Sequence, residues 1–221
     1  MTARCQVCRW PTDRLAGKGV SVPTIRKANA ADVDALGAML GRSFDDDPVY
    51  RCIFPDDQQR RAALPLLFSH WLRHIHLPHD LVYTEDGHAG ASLWAPPNEW
   101  NIGLLTQLRL APKLLSVFGR RIFVTMKILG EMQARHPKTP HHYLAVVGTD
   151  PSQQGKGVGA ALLAPMLARC DEEQMPAYLE SSNEKNHSFY RRHGFEVTDS
   201  FPTPPGPKIW LMWREPRARD A

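Results

Sequence analysis

The feature that most constrains the fold is a glycine-rich segment that separates two apolar runs. The segment "QQGKGVGA", residues 153–160, comes soon after "YLAVVG" and just before "ALLAPMLARC". The first run has the composition of a central strand and the second that of a helix. Glycine allows a tight turn and a close approach of the backbone to another group. A strand, a glycine turn and a helix N-terminus together predict an anion-binding site, because the N–H groups of the first helical turn lack partners within the helix.

Three phosphate-binding patterns compete for this segment, and their register separates them. A P-loop requires Ser or Thr after its Gly-Lys pair, whereas Lys156 is followed by Gly157. The Rossmann fingerprint G-x-G-x-x-G is not in register, and the acidic residue expected after a second strand is not evident. The pattern Q/R-x-x-G-x-G/A is satisfied by Gln154, Gly157 and Gly159. Taken alone, the segment could equally be an ordinary glycine-rich turn between a strand and a helix, without a bound phosphate.

A second segment, "NHSFYRRHGF" at 186–195, follows at the separation that a helix and a strand would need. Its residues Asn186, Tyr190, Gly194 and Phe195, together with the glycine pattern, resemble the cofactor-binding half of the GNAT superfamily of N-acetyltransferases. The stretches "TIRKANAADV" and "ASLWAPP" extend the resemblance to residues 24–214 and to the puromycin N-acetyltransferase-type branch. The C-terminal half is the closer match.

The resemblance implies the GNAT fold, a mixed α/β architecture of the α+β class. We expect a central, mostly antiparallel twisted sheet with flanking helices and a V-shaped splay between its two central strands. Residues 1–22 lack periodicity and are predicted to be a flexible leader, 23–215 the N-acetyltransferase domain, and 216–221 a C-terminal tail. Within the domain, we expect a helix capped by Asn29, a hairpin turn at Asp86-Gly87 and two helical pieces within 102–134.

The resemblance also implies acetyl-CoA as cosubstrate. The glycine turn is expected to bind the pyrophosphate through backbone N–H groups, and the end of the preceding strand to pair with the pantetheine arm as an added strand would. One free N–H at the splay, for which Val147 is the candidate, is expected to polarise the acetyl carbonyl. The predicted cofactor-binding residues are Val147, Gly148, Thr149, Gln154, Gly155, Lys156, Gly157, Val158, Gly159, Ala160 and Asn186.

Two residues are the catalytic candidates. Tyr190, by its family position, is the expected general acid, because a phenol holds its proton at neutral pH and can give it to a departing thiolate. Glu180, in the strand "PAYLESS", is the expected base for the amine proton, directly or through a water, or a partner for a cationic acceptor. The alternatives are a half-buried helix aromatic for Tyr190, an exposed strand residue for Glu180 and a simple helix N-cap for Asn186.

The acceptor side is less well defined by the sequence. Asp45, Asp46 and Asp47 follow the first predicted helix and would attract an ammonium group, although a solvated helix end is an equal alternative. The chain departs from the puromycin-type enzymes at Asp47, where they carry an aromatic residue, and this argues against puromycin itself. His141 and His142 are expected at the solvent-near entry of the central strand.

Composition restricts the possible partners. The net charge is +4 with no Lys/Arg-rich block, which is weak support for nucleic acid. Cys5 and Cys8 form a CxxC without a second ligand pair, and His70 and His74 lack a third ligand at fixed spacing, so no metal site is predicted. No apolar stretch has the length of a membrane span or of a signal-peptide core. We therefore expect a cytoplasmic protein, monomer or homodimer, with neither nucleic-acid nor membrane partners.

These observations predict an acetyl-CoA-dependent N-acetyltransferase. The acetyl group would pass to a primary amine of a small molecule by direct attack of the amine on the thioester. Two alternatives stay open at this stage: a protein acetyltransferase acting on Lys or an N-terminal amine, and an acyl-CoA-binding sensor without catalysis. The presence of both Tyr190 and Glu180 argues against the sensor.

Overall fold

A computed structural model of the 221-residue chain describes residues 23–100, 115, 117–203 and 206–218. The predicted leader 1–22 lies outside the described residues, as does the first of the two helical pieces expected within 102–134. The second piece is present and follows a turn that begins at Gly119.

Seven strands form one sheet in the spatial order β1-β2-β3-β4-β5-β7-β6. All neighbouring strands are antiparallel except β4 and β5, which are parallel. The expected mixed, mostly antiparallel sheet is therefore confirmed. The strands are β1 (Ile25–Lys27), β2 (Val82–Glu85), β3 (Gly90–Ala95), β4 (His142–Thr149), β5 (Ala177–Ser181), β6 (Glu196–Pro202) and β7 (Lys208–Arg214).

Helices cover both faces of the sheet and enclose two main apolar cores. One core joins α1, α3 and part of α4 to β2, β3 and β4, and the other joins α5 and α6 to the opposite face. None of the helices within the described ranges is long and apolar enough to cross a membrane. The helices are α1 (Val33–Ser43), α2 (Pro48–Ile53), α3 (Asp57–Trp71), α4 (Ile122–Arg135), α5 (Val158–Glu172) and α6 (His187–Arg192).

Local sequence signals fix several element ends. The predicted cap at Asn29 is confirmed: its side chain accepts from Ala31 N, and the Asp32 carboxylate accepts from Asn29 N, so a capping box opens the turn that leads into α1. The hairpin at Asp86-Gly87 is also confirmed, with β2 and β3 on either side. Helix α6 is followed by Gly194 at φ +89°, a left-handed position that glycine adopts without strain.

The two central strands separate after a short parallel contact. Pairing between β4 and β5 is limited to His142 with Ala177 and Tyr143 with Tyr178, after which the strands diverge. The predicted V-shaped splay is therefore present. Its edges expose strand backbone groups that lack a strand partner on that side, so the splay can receive an extended ligand.

A β-bulge lies in β4 immediately beyond the point of divergence. Trp94 of β3 pairs with Leu144 and Leu93 pairs with Val146, which leaves Ala145 without a cross-strand partner. Leu144 belongs to the core beneath α5, whereas Val146 belongs to the core beneath α1, although residues two apart in a regular strand share a face. The extra residue therefore redirects the backbone of β4 next to the cleft, as bulges beside active sites do.

Candidate active site

The splay between β4 and β5 opens into a narrow cleft. Two carboxylates and a phenol line it, and its lining includes no Lys, Arg or His among the residues that the structure describes. A larger surface hollow, of about 360 Å³, lies beside β7 and is lined by none of the predicted site residues. The cleft residues are Phe44, Asp47, Leu144, Ala145, Val146, Val147, Leu179, Glu180, Ser181, Ser182, Asn186 and Tyr190.

The glycine turn stands at the far end of β4, at the N-terminus of α5. Gly155 and Gly157 have φ values of +77° and +85°, and a side chain at either position would meet no atom within 4 Å, so backbone conformation is what requires glycine. Gly157 is the N-cap residue and supplies no side-chain cap. The N–H groups of Val158, Gly159 and Ala160 therefore begin the helix without intrahelical partners and can bind an anion.

Side chains around the glycine turn hold it against β4. Gln154 donates from Nε2 to the carbonyl oxygen of Thr149 at 3.3 Å, and Lys156 donates from Nζ to Gln153 Oε1 at 3.0 Å. The glutamine of the predicted pattern thus connects the turn to the end of the strand. Exposure of Gln154, Gly155, Lys156 and Gly157 leaves this surface open to a ligand.

The last residues of β4 contact either the cleft or helix α1. Val147 lines the cleft. A side-chain carbon on Gly148 would lie 2.7 Å from Leu40 Cδ2, so glycine at this position lets α1 pack closely on the strand. The backbone N–H of Thr149 donates to Ser43 Oγ at 3.1 Å. The contact with α1 therefore fixes the end of the strand from which the glycine turn departs.

Helix α6 carries two predicted residues into the cleft. Asn186 occupies its N-cap position but makes no capping bond with its side chain, so the simple-cap alternative is wrong. Tyr190 lies one turn further and is 8% exposed. Burial raises the pKa of the Tyr190 phenol, and the negative charge of Asp47 raises it further. The phenol therefore holds its proton more firmly than the sequence alone predicts.

Glu180 faces the cleft from β5 and is surrounded by hydroxyl donors. Tyr143 donates to its Oε2 at 2.5 Å and Tyr178 donates to its Oε1 at 3.0 Å, while His136 Nδ1 lies 3.5 Å from Oε1. The Glu180 side chain is only 3% exposed, so the alternative of an exposed strand residue is wrong. Burial, followed by the charge of Glu180, raises the pKa of both tyrosines and keeps them as donors.

The two tyrosines and His136 were not identified from the sequence. Tyr178 precedes Glu180 by two residues, and strand periodicity places both on one face, so this neighbour was available from the pattern. Tyr143 pairs directly with Tyr178 across the parallel contact, which requires the register of the two strands. His136 arrives from the end of α4, and nothing in its local sequence indicates the contact.

Histidines extend this buried group away from the cleft. His136 Nε2 lies 3.1 Å from His141 Nε2, and His141 Nδ1 lies 2.6 Å from the carbonyl oxygen of Thr139. His141 and His142 are 2% and 0% exposed, so the expectation of a solvent-near entry is wrong. The ring of His141 packs against His136 at the end of α4 and against Trp213, whereas His142 Nε2 contacts Glu173 just after α5, so each ring is covered by a different helix end.

The three consecutive acids have different environments. Asp45 accepts from Arg60 at 3.0 Å and from Arg61 at 2.9 Å, and Asp46 pairs with Arg51 at 3.1 Å. Only the third acid, Asp47, lines the cleft. The loop therefore places one of its three charges, and not all three, at the candidate site.

Asp47 has no Lys or Arg partner among the described residues. Its Oδ1 accepts from the backbone N–H of Val49 at 2.9 Å and so caps α2, and its Oδ2 accepts a short hydrogen bond from Ser182 Oγ. Burial raises the pKa of the Asp47 carboxyl, and the hydrogen bond from Ser182 opposes this. A cation entering the cleft would relieve the cost of burying this charge.

Other candidates lie away from the cleft. Within the described ranges, no group of three or more His, Cys, Asp and Glu residues is arranged to hold a metal ion. His70 and His74 stack with ring centroids 6.0 Å apart. Trp94 is fully buried in the core beneath α5.

A splayed parallel strand pair, a glycine turn at a helix N-terminus, and a phenol and a carboxylate in the intervening cleft are the features of an acyltransferase. The model of the acetyltransferase (GNAT) family matches residues 93–195. An uncharacterized N-acetyltransferase of Schizosaccharomyces pombe is 32% identical over 216 residues, 91% of this chain and 84% of that protein. The chain belongs to the GNAT family of acetyltransferases, and it is an acetyltransferase enzyme.

Solved structures share this fold. A structure from Corynebacterium glutamicum, described as histone acetyltransferase HPA2 and related acetyltransferase, has a TM-score of 0.67 at 27% identity and covers 90% of this chain and 99% of its own. The PaiA N-acetyltransferase of Thermoplasma acidophilum, solved in complex with coenzyme A, has a TM-score of 0.54 at 13% identity, with coverages of 88% and 99%. The general GNAT resemblance is thus confirmed.

Proposed function

We propose that the protein transfers the acetyl group of acetyl-CoA to a primary amine of a small molecule. The single observation that carries this proposal is the cleft at the splay, which contains the carboxylates of Asp47 and Glu180 without a basic residue in its lining. Such a cleft attracts an ammonium group and repels an anionic acceptor. GNAT enzymes use acetyl-CoA as donor, so the acceptor class is the part that the proposal adds.

The donor would lie along β4 and the glycine turn. The N–H groups of Val158, Gly159 and Ala160 would bind the pyrophosphate, with Gly155 and Gly157 supplying the left-handed backbone that the turn requires. Gln154 and Lys156 would support the turn, and Val147, Gly148, Thr149 and Asn186 would contact the rest of the donor. This geometry supports the assignment because the cleft lies along β4 from Leu144 to Val147 and the exposed turn follows the end of the same strand.

The proposed reaction is a direct attack. Glu180 takes a proton from the amine, directly or through one water, and the amine nitrogen forms a bond to the acetyl carbon. The N–H of Val147 donates to the carbonyl oxygen as its negative charge develops. The carbon–sulfur bond then breaks, and Tyr190 donates its phenolic proton to the thiolate. The raised pKa of Tyr190 reduces the driving force for that last transfer, so hydrogen bonding to the thiolate is a larger part of its role.

We also propose the setting in which this reaction occurs. Residues 23–215 form one acetyltransferase domain, since a single sheet runs from β1 at Ile25 to β7 at Arg214. We place the protein in the cytoplasm, as a monomer or a homodimer, with a small-molecule partner.

One assay tests the proposal. Purified protein is incubated with acetyl-CoA and a panel of amines that includes puromycin, polyamines, aminoglycosides and a Lys peptide, and free thiol release is followed. Release with one or more small amines supports the proposal. Release with the peptide alone would indicate a protein acetyltransferase, and acetyl-CoA binding without release above the blank would indicate a sensor.

A further inference from the structure

Hydrogen bonds around His141 determine which of its ring nitrogens carries the proton. The carbonyl oxygen of Thr139, 2.6 Å from His141 Nδ1, can only accept, so Nδ1 must donate. Burial lowers the pKa of His141, which favours the neutral ring with a single proton. Its Nε2 is therefore an acceptor, and the proton in the 3.1 Å contact with His136 belongs to His136 Nε2.

This assignment constrains the other nitrogen of His136. With Nε2 protonated, a neutral His136 would direct the bare lone pair of Nδ1 at Glu180 Oε1, 3.5 Å away. An ionised Glu180 also presents only lone pairs, and two acceptors facing each other repel. A proton on one of the two residues removes this repulsion, either on His136 as an imidazolium or on Glu180 as a carboxylic acid.

Three further contacts favour the imidazolium. The hydroxyls of Tyr143 and Tyr178 both donate to Glu180, and donors stabilise the carboxylate form. The ring of Trp100 stacks on His136 with centroids 3.7 Å apart, an arrangement that attracts a cation. His136 also stands at the C-terminal end of α4, where the helix dipole favours positive charge.

We propose that His136 is a positioning residue that rests as an imidazolium and keeps Glu180 ionised as the acceptor of the amine proton. The inference deepens the proposed function and rests on it for the role of Glu180. Its physical basis is the burial of the Glu180 side chain, which is 3% exposed. A carboxylate at such a site without a compensating charge takes up a proton, and the acid form cannot deprotonate an amine.

The other charged groups near His136 agree with this assignment. Glu180 and Tyr178 face it from β5, Tyr143 from β4, and His141 from the segment before β4. The neighbouring Arg135 turns away, with its guanidinium 4.4 Å from the centre of the Phe201 ring. The charge that compensates Glu180 is therefore that of His136 itself.

A spectroscopic test needs no acceptor. Nuclear magnetic resonance of the ring nitrogens is recorded on the full chain at neutral pH, with His136→Gln used to assign the His136 signals. We expect both nitrogens of His136 to carry protons in the wild type and only one to do so in Glu180→Gln. A singly protonated His136 in the wild type would overturn the proposal, whether or not any amine is acetylated.

A kinetic test measures kcat/KM as a function of pH and follows the acidic limb of that profile, where activity is lost as Glu180 takes up a proton. Using one acceptor for all proteins, so that its own ionisation cancels, we expect His136→Gln to move the limb to higher pH by about 1 to 3 units. His136→Lys, which restores a cation, should move it back toward the wild-type position.

The matched control is His142→Gln, which removes a second buried histidine that contacts a carboxylate, Glu173, at 2.7 Å outside the cleft. It should leave the limb in place. An equal limb in His136→Gln and the wild type would overturn the positioning role. If His136→Gln fails to fold, the ring-nitrogen spectrum of the wild type, assigned by elimination from the other histidine variants, decides the question. Failure of the proposed function is separate, since it would appear as no acetylation of any amine.

Discussion

The donor side of the cleft is built mainly from backbone, whereas the acceptor side is built from side chains. Apart from Asn186 and Tyr190 on α6, the donor groups come from one continuous stretch, the end of β4, the glycine turn and the first turn of α5. The acceptor groups come from β5, the loop before α2 and the end of α4. A backbone site depends on local conformation, and a side-chain site depends on packing across the whole sheet. The two sides should therefore respond to different substitutions.

The largest effect should come from Glu180→Gln. Loss of the base should lower kcat/KM by about 10²- to 10⁴-fold, the usual contribution of a general base. The affinity for acetyl-CoA, measured by calorimetry without acceptor, should stay within about twofold, because the donor groups lie elsewhere on the chain. An equal loss of donor affinity would show that the two sides are not separable.

Tyr190→Phe should have the next largest effect. Removing the phenol should lower kcat by about 10²-fold, since the departing thiolate loses its proton donor. Single-turnover thiol release measures this step directly. An unchanged rate would remove Tyr190 as the general acid. Ser188→Ala, which removes an exposed hydroxyl from the same helix, controls for changes in the helix itself.

Gly157→Ala tests the donor side alone. A side chain at φ +85° costs about 1–2 kcal/mol, which should disturb the turn and weaken acetyl-CoA binding by about tenfold. The acceptor preference should not change. The control is Gly130→Ala within α4, where a side-chain carbon would also meet no atom within 4 Å but the helix favours alanine. Equal loss of affinity in both variants would contradict a conformational requirement at Gly157.

A smaller kinetic effect is expected from Asp47→Asn. Asparagine retains the cap on α2 but removes the charge, so kcat/KM for a cationic acceptor should fall by about threefold to tenfold. The loss should shrink at high salt, as screening predicts. Asp46→Asn is the matched control, because that side chain is 90% exposed and pairs with Arg51. Comparable losses of kcat/KM in both variants would show that the acceptor responds to the overall negative charge of the loop and that Asp47 has no specific role.

The smallest effect concerns stability. Burial raises the pKa of Asp47, so the folded state binds its proton more tightly than the unfolded state does. The free energy of unfolding therefore falls as the pH rises from the pKa of this carboxyl in the unfolded chain to its pKa in the folded protein. Asp47→Asn should therefore raise the free energy of unfolding at neutral pH by about 1 kcal/mol. The gain should vanish toward pH values of about 4, where the unfolded carboxyl is also protonated. Urea unfolding at the two pH values measures the difference, and a destabilised variant at neutral pH would contradict it.

The contrast between a donor side formed by local backbone and an acceptor side formed by distant side chains explains what the sequence could predict. The register of Gln154, Gly157 and Gly159 identifies a conformation that glycine makes possible locally, so the turn and the family were accessible from a short segment. The strand splay follows from family membership. These features depend on residues close together in the chain.

The surroundings of Glu180 were not accessible in this way. Its contact with Tyr143 joins residues 37 apart in the chain, and the register of two parallel strands sets it. The burial of His141 and the separate environments of Asp45 and Asp47 also result from how α4, α3 and the loop before α2 pack. The residue type shows that an acid, a histidine or a tyrosine is able to take part in a site, but only the tertiary contacts decide which of them lie there.

The bulge at Ala145 affects the spacing of the two central strands and leaves the length of β4 unchanged. Leu144 and Val146 pair with Trp94 and Leu93, which are adjacent in β3, so the extra residue is taken up as a bend. Deleting Ala145 would keep the later pairs of β3 and β4 in register but would straighten β4 where it leaves β5. The gap between the two strands should then narrow while the glycine turn stays at the same distance along the strand, so a single unpaired residue acts as the wedge that holds the cleft open.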